Sequence, residues 1–169
     1  MDSMNIISIE GVSKSFRRKK ILDGVSLEVK KEEVVGLVGC SGAGKSTLVK
    51  ILIGFLSPSS GVVNVYSSSK HPIGFSMQNN SIYDSLSVRQ NLFYFSALYK
   101  IPRKLAKERI SGLLEMLQLR EYERVLVKNL SGGTKKRVDI ACALLGDPDI
   151  LILDEPFLGL DPALVKSLL

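Results

Sequence analysis

Gly39-Cys40-Ser41-Gly42-Ala43-Gly44-Lys45-Ser46-Thr47 is the stretch around which the rest of the chain is organised. It reads as a phosphate-binding loop. The apolar run before it, Val34, Val35, Gly36, Leu37 and Val38, has the character of a buried strand, and Leu48, Val49, Ile51, Leu52 and Ile53 after it fall at helical spacing. The loop therefore joins a strand to a helix. Gly39, Gly42 and Gly44 let the backbone fold back with its N–H groups inward, and a helix starting near Lys45 adds its positive dipole end to the same hollow. An anion is the natural occupant. Lys45 is placed to reach the β- and γ-phosphates of a nucleoside triphosphate, and the Ser46 hydroxyl to ligate the accompanying Mg²⁺. A Gly-x-x-x-x-Gly-Lys-Ser/Thr pattern arises by chance in on the order of one chain in two hundred of this length, and the strand-loop-helix context lowers that further.

At 169 residues and 45% hydrophobic content, the chain is sized for one globular domain with room for a sub-domain. No apolar run approaches the roughly 20 residues needed to span a bilayer, and Met1, Asp2, Ser3, Met4 and Asn5 lack a signal-peptide pattern, so the expected location is the cytosol. Cys40 and Cys142 are far apart, with no Cys or His in metal-ligand spacing, which argues against a disulfide framework or a zinc site. Both read as structural. The net charge of +6 comes from short scattered basic groups with no interleaved aromatic platform, so nucleic acid is not the expected partner.

Along the chain, residues 6–12 suggest an edge strand, followed by Phe16 before a basic turn; residues 22–29 and 62–66 are further strand candidates. Phe16 admits two readings, core packing or stacking on a purine ring. Residues 73–77 form another strand ending at Gln78. From Ser87 to about Leu119 the pattern turns helical, opened by a Ser87/Gln90 capping box and broken at Pro102. Leu130-Ser131-Gly132-Gly133-Thr134 then leads into a helix, with Ser131 as its cap and a second anion-receptive N-terminus. Ile150-Leu151-Ile152-Leu153 reads as an apolar strand that ends in Asp154 and Glu155. Carboxylates in that position are costly unless they serve a cation or a catalytic proton.

In order, Phe16, the loop from Gly39 to Thr47, Gln78, Leu130-Ser131-Gly132-Gly133, Asp154-Glu155-Pro156 and Gly159-Leu160-Asp161 resemble the nucleotide-binding domain of ATP-binding cassette transporters, across essentially the whole chain. The resemblance implies an α/β fold: a P-loop NTPase core with a mostly parallel sheet, N-terminal antiparallel strands, and a helical sub-domain over about 85–146 inserted in a single domain of 1–169. It implies ATP and Mg²⁺ as ligands. Phe16 stacks on adenine; Gly39, Ser41, Gly42, Gly44, Lys45, Ser46 and Thr47 hold the phosphates and metal; Asp154 supports the metal through water. Glu155 is the implied general base, and Gln78 links the attacking water and Mg²⁺ to the membrane partner. Ser131, Gly132 and Gly133 belong to the signature that meets the γ-phosphate of an opposite subunit, so two domains close head-to-tail, with Asp161 at their interface. The implied partners are that second domain and a transmembrane domain or subunit, which places the chain at the inner face of the membrane. Ser87-Val88-Arg89-Gln90-Asn91-Leu92 and Ala97-Leu98-Tyr99-Lys100-Ile101-Pro102 resemble exporter-type cassettes.

Two departures accompany the match. Thr134 stands where the family's signature carries glutamine, and the sequence ends at Leu169 where the family continues with a further strand and a switch histidine, to which His71 cannot correspond. The expectation is a C-terminally truncated ABC domain that folds poorly alone or self-associates and turns over little ATP. Two alternatives stand beside the exporter reading: a truncated ATP-binding module without turnover, and a soluble cassette ATPase acting on DNA ends or ribosomes. The segment between Gln78 and the signature is too short for the long coiled coil of DNA-repair members.

Overall fold

The computed structural model describes residues 4–76 and 81–154, and the chain divides into two compact units, Met1–Ser68 and Ser69–Leu169. In the first unit, strands β1 (Asn5–Phe16), β2 (Lys19–Lys30) and β3 (Ser60–Val65) form an antiparallel sheet in the order β2-β1-β3. β1 and β2 are a hairpin with Phe16 opposite Lys19, reversed over Arg17 and Arg18; Arg17 takes the left-handed conformation at φ 53° that a two-residue turn demands. Ile7, Ile9, Val12 and Leu22 are buried, and helix α1 (Lys45–Leu52) lies against β2 with its Leu48 and Ile51 also buried. Residues 6–12 are thus part of a central strand, not an edge: β3 pairs on the side that the short, weakly alternating pattern left open.

The strand expected over residues 34–38 does not form. Those residues join no ladder, and their apolar side chains are exposed, Val38 at 96%. An apolar run specifies which side chains prefer to leave water, whereas a strand also needs a neighbour to take its N–H and C=O groups. Among the described residues of the first unit, all ladder positions lie in β1, β2 and β3.

In the second unit, β4 (Ile73–Ser76) and β5 (Ile150–Leu153) pair in parallel, Ile73 opposite Ile150 through Ser76 opposite Leu153. Helices α2 (Val88–Leu98), α3 (Arg103–Met116) and α4 (Gly132–Leu144) build the larger core around Leu92, Ile110, Leu114, Leu117, Val138 and Ile140. Each such fully buried aliphatic side chain contributes roughly 1.5–3 kcal/mol. The local signals are realised. Ser87 Oγ accepts from the Gln90 N–H while the Gln90 side chain accepts from the Ser87 N–H, and Pro102 occupies the N-cap of α3. β4 approaches α4 so closely that a Cβ on Gly74 would lie 2.6 Å from the Ala143 carbonyl oxygen, so glycine is required there by contact.

Candidate functional site

In the first unit, the loop is shaped by its glycines. Gly44 caps α1 at φ 93°, and a Cβ there would meet Leu22 Cδ2 at 2.8 Å and the Ile21 carbonyl at 3.0 Å, so both backbone angle and space exclude a side chain. Gly42 is also left-handed, and the Ala43 N–H donates to the Cys40 carbonyl across the turn. Lys45 reaches back over the loop: its Nζ donates to the carbonyls of Gly39 at 2.6 Å and Cys40 at 3.0 Å. The ammonium therefore sits at the loop's opening. Gly39, Cys40, Ser41 and Gly42 are exposed, Ser46 presents an exposed hydroxyl on the first turn of α1, and Thr47 is half-buried. Phe16 ends β1 with its ring 45% exposed and Lys14 Nζ 5.4 Å from the ring centre, which removes its core reading.

In the second unit, Ser131 caps α4 by accepting from the Thr134 N–H. Ser131 and Gly132 are exposed and Gly133 is half-buried, so the start of this helix faces solvent. Asp154 follows β5 directly, its N–H bonded to the Ser76 carbonyl, so the strand pairing delivers its half-buried carboxylate to the carboxyl end of the parallel pair. Gln78, Glu155 and Asp161 lie outside the described residues.

Three charged residues that periodicity did not single out organise this unit. Asp139 is buried on α4, where its Oδ2 accepts from Ser76 Oγ at 2.6 Å and its Oδ1 from the Ser81 N–H at 2.9 Å. Burial pushes its pKa up, against the opposing pull of those two hydrogen bonds and of Lys136. Lys136, also buried, points its Nζ to within 3.4 Å of the Asp154 carbonyl oxygen. Arg137 donates to the carbonyls of Leu117 and Gln118 at the end of α3. The available signal was the spacing: Lys136 and Asp139 stand three apart, which places them on one face of the helix. Cys142 on the same helix is a buried thiol whose pKa burial raises well above its ordinary value, consistent with a structural role.

The sequence profile of the ABC transporter family matches residues 22–158. The chain belongs to that family, as an ATP-binding domain. Among curated relatives it is 35% identical over 174 residues to the spermidine/putrescine import ATP-binding protein PotA of Bacteroides fragilis (strain YCH46), covering 99% of this chain and 38% of that protein. It is 37% identical over 164 residues to the Nod factor export ATP-binding protein I of Neorhizobium galegae, covering 92% and 47%. The chain thus spans less than half the length of these two relatives. Among solved structures, cbiO1 from Clostridium perfringens, part of the ABC transporter complex cbiONQ, superposes with a TM-score of 0.80 at 30% identity, covering 97% of this chain and 70% of that one. The fold is accordingly the P-loop NTPase fold of ABC domains, with N-terminal antiparallel strands and, among the described residues, one parallel strand pair.

Proposed function

We propose that this ABC domain binds ATP with Mg²⁺ and hydrolyses it to power export through a membrane transporter. The observation that carries the reading is the loop itself, a glycine-capped helix start with the Lys45 ammonium held across the carbonyls of Gly39 and Cys40. A phosphate oxygen offers that ammonium a charged acceptor in place of two neutral ones, and such hydrogen bonds are roughly twice as strong. The Phe16 ring is exposed for adenine to stack on. The Ser46 hydroxyl and the Asp154 carboxylate are oxygen donors of the kind Mg²⁺ prefers, and the bound ion would neutralise charge on the β- and γ-phosphates. Glu155 is assigned as general base, Gln78 as the residue that relates the attacking water to the membrane partner, and Ser131, Gly132 and Gly133 as contacts to nucleotide on a second copy.

Relatives serve both import and export, and the helical segment around Ser87 to Leu92 and Ala97 to Pro102 favours export. In this reading the partners are a transmembrane subunit and a second nucleotide-binding domain, and the chain works on the inner face of the membrane through the former. Among the described residues no helix is long and apolar enough to cross a membrane.

The test is equilibrium binding of a fluorescent ATP analogue together with phosphate release from the full-length protein. Lys45→Ala should abolish triphosphate binding; Glu155→Gln should bind as wild type and lose turnover. Unchanged affinity in the lysine variant would sink the loop assignment. Turnover retained by the glutamine variant would remove Glu155 from its role.

A further inference from the structure

The start of α4 carries a chain of hydrogen bonds that runs from Arg137 through Thr134 to Ser131. Arg137 Nη2 donates to Thr134 Oγ1 at 3.1 Å, and a guanidinium can only donate, so the threonine oxygen is an acceptor there. Thr134 Oγ1 lies 2.9 Å from Ser131 Oγ, and the Thr134 N–H donates to the same Ser131 Oγ at 3.2 Å. Arg137 is not free to move away: its Nη1 is bonded to the carbonyls of Leu117 and Gln118, and the guanidinium lies over the Tyr122 ring.

Thr134 is only 5% exposed, whereas Ser131 is exposed. A buried hydroxyl hydrogen needs a protein acceptor, and Ser131 Oγ is the one at hand; an exposed serine hydrogen does not share that need. With the threonine hydroxyl as donor, Ser131 Oγ accepts twice, from the Thr134 O–H and N–H, and its own hydrogen is left to turn outward from the helix.

We propose that Thr134, held by Arg137, is a positioning residue that presets the Ser131 hydroxyl as a hydrogen-bond donor toward the γ-phosphate of nucleotide bound by a second copy of this chain. The inference rests on the reading of Ser131 as a contact to the partner's nucleotide. It also accounts for how a signature with threonine in place of glutamine keeps its serine oriented: a short hydroxyl bridges the serine to the arginine three residues on.

The experiment is steady-state ATP hydrolysis by the full-length protein, with analogue binding measured in parallel. Thr134→Val keeps the shape and removes the hydroxyl. It should lower kcat on the order of tenfold, the loss expected for a hydrogen bond to a charged group, while KM and analogue affinity at the loop stay at wild-type values. Thr134→Ser should restore kcat to within about twofold, and in a Ser131→Ala background Thr134→Val should add nothing. Wild-type kcat in Thr134→Val, a failed rescue by serine, or an equal further loss in the Ser131→Ala background would overturn the proposal. Wild-type kcat in Ser131→Ala alone would overturn the underlying reading of the signature, and this proposal with it.

Discussion

Asp139 carries the clearest energetic consequence of a single residue. Its carboxylate satisfies the Ser81 N–H and the Ser76 hydroxyl, which lie 58 and 63 positions away in the sequence. Asp139→Ala should destabilise the protein by about 1–3 kcal/mol, because it leaves those groups without an acceptor. Asp139→Asn keeps an acceptor oxygen and the shape but removes the buried charge. Because burial raises the folded pKa above the unfolded one, the native state binds this proton more tightly. The associated stability is fully present below the unfolded pKa and is lost as pH rises through the folded value. Urea unfolding across that window should show wild type losing stability relative to Asp139→Asn as pH rises. Parallel curves would show that the carboxyl titrates alike in both states. The loop residues could be read in advance because glycine conformation and a following helix are local matters. The partners of Asp139 could not, since they come from another element.

Among the elements, the helices are the most self-contained. α2 begins with both halves of a capping box in place, and the Arg89–Glu123 ion pair and the Arg89 N–H to Glu123 carbonyl bond tie its first turn to the loop after α3. Ser87→Ala should cost about 1 kcal/mol. The measurement is denaturant unfolding combined with amide exchange in the first turn of α2; unchanged exchange there would mean that the bonds to Glu123 and Val125 hold the helix start without the cap. The helix starts near Lys45, after Ser87, after Pro102 and after Ser131 were visible in the sequence because caps and prolines act within a few residues. The strands were less so: β1 runs to Phe16 and lies between two partners, and the expected strand over residues 34–38 is absent from every ladder among the described residues.

For the whole molecule, that same segment has a further consequence. Val34, Val35, Leu37 and Val38 expose apolar surface on a segment that joins no ladder among the described residues, an arrangement that invites association with another chain. The isolated 169-residue polypeptide should self-associate, and Val38→Lys should shift it toward monomer in size-exclusion chromatography at matched concentration. A wild-type chain that elutes as a monomer at every concentration would dispose of this expectation. From its sequence alone this protein had a glycine-shaped loop leading into a helix and its helix caps, because each rests on residues close together in the chain, and it had its family, because several such short motifs follow one another in order. Only the tertiary structure decided that β1 is central, that residues 34–38 join no ladder among the described residues, that Asp139 and Lys136 are buried, and that Arg137 and Ser131 both meet the Thr134 hydroxyl. Strand pairing, desolvation of a charge and the partners of a hydrogen bond are set by atoms that distant parts of the chain bring alongside, and no local pattern encodes which atoms those are.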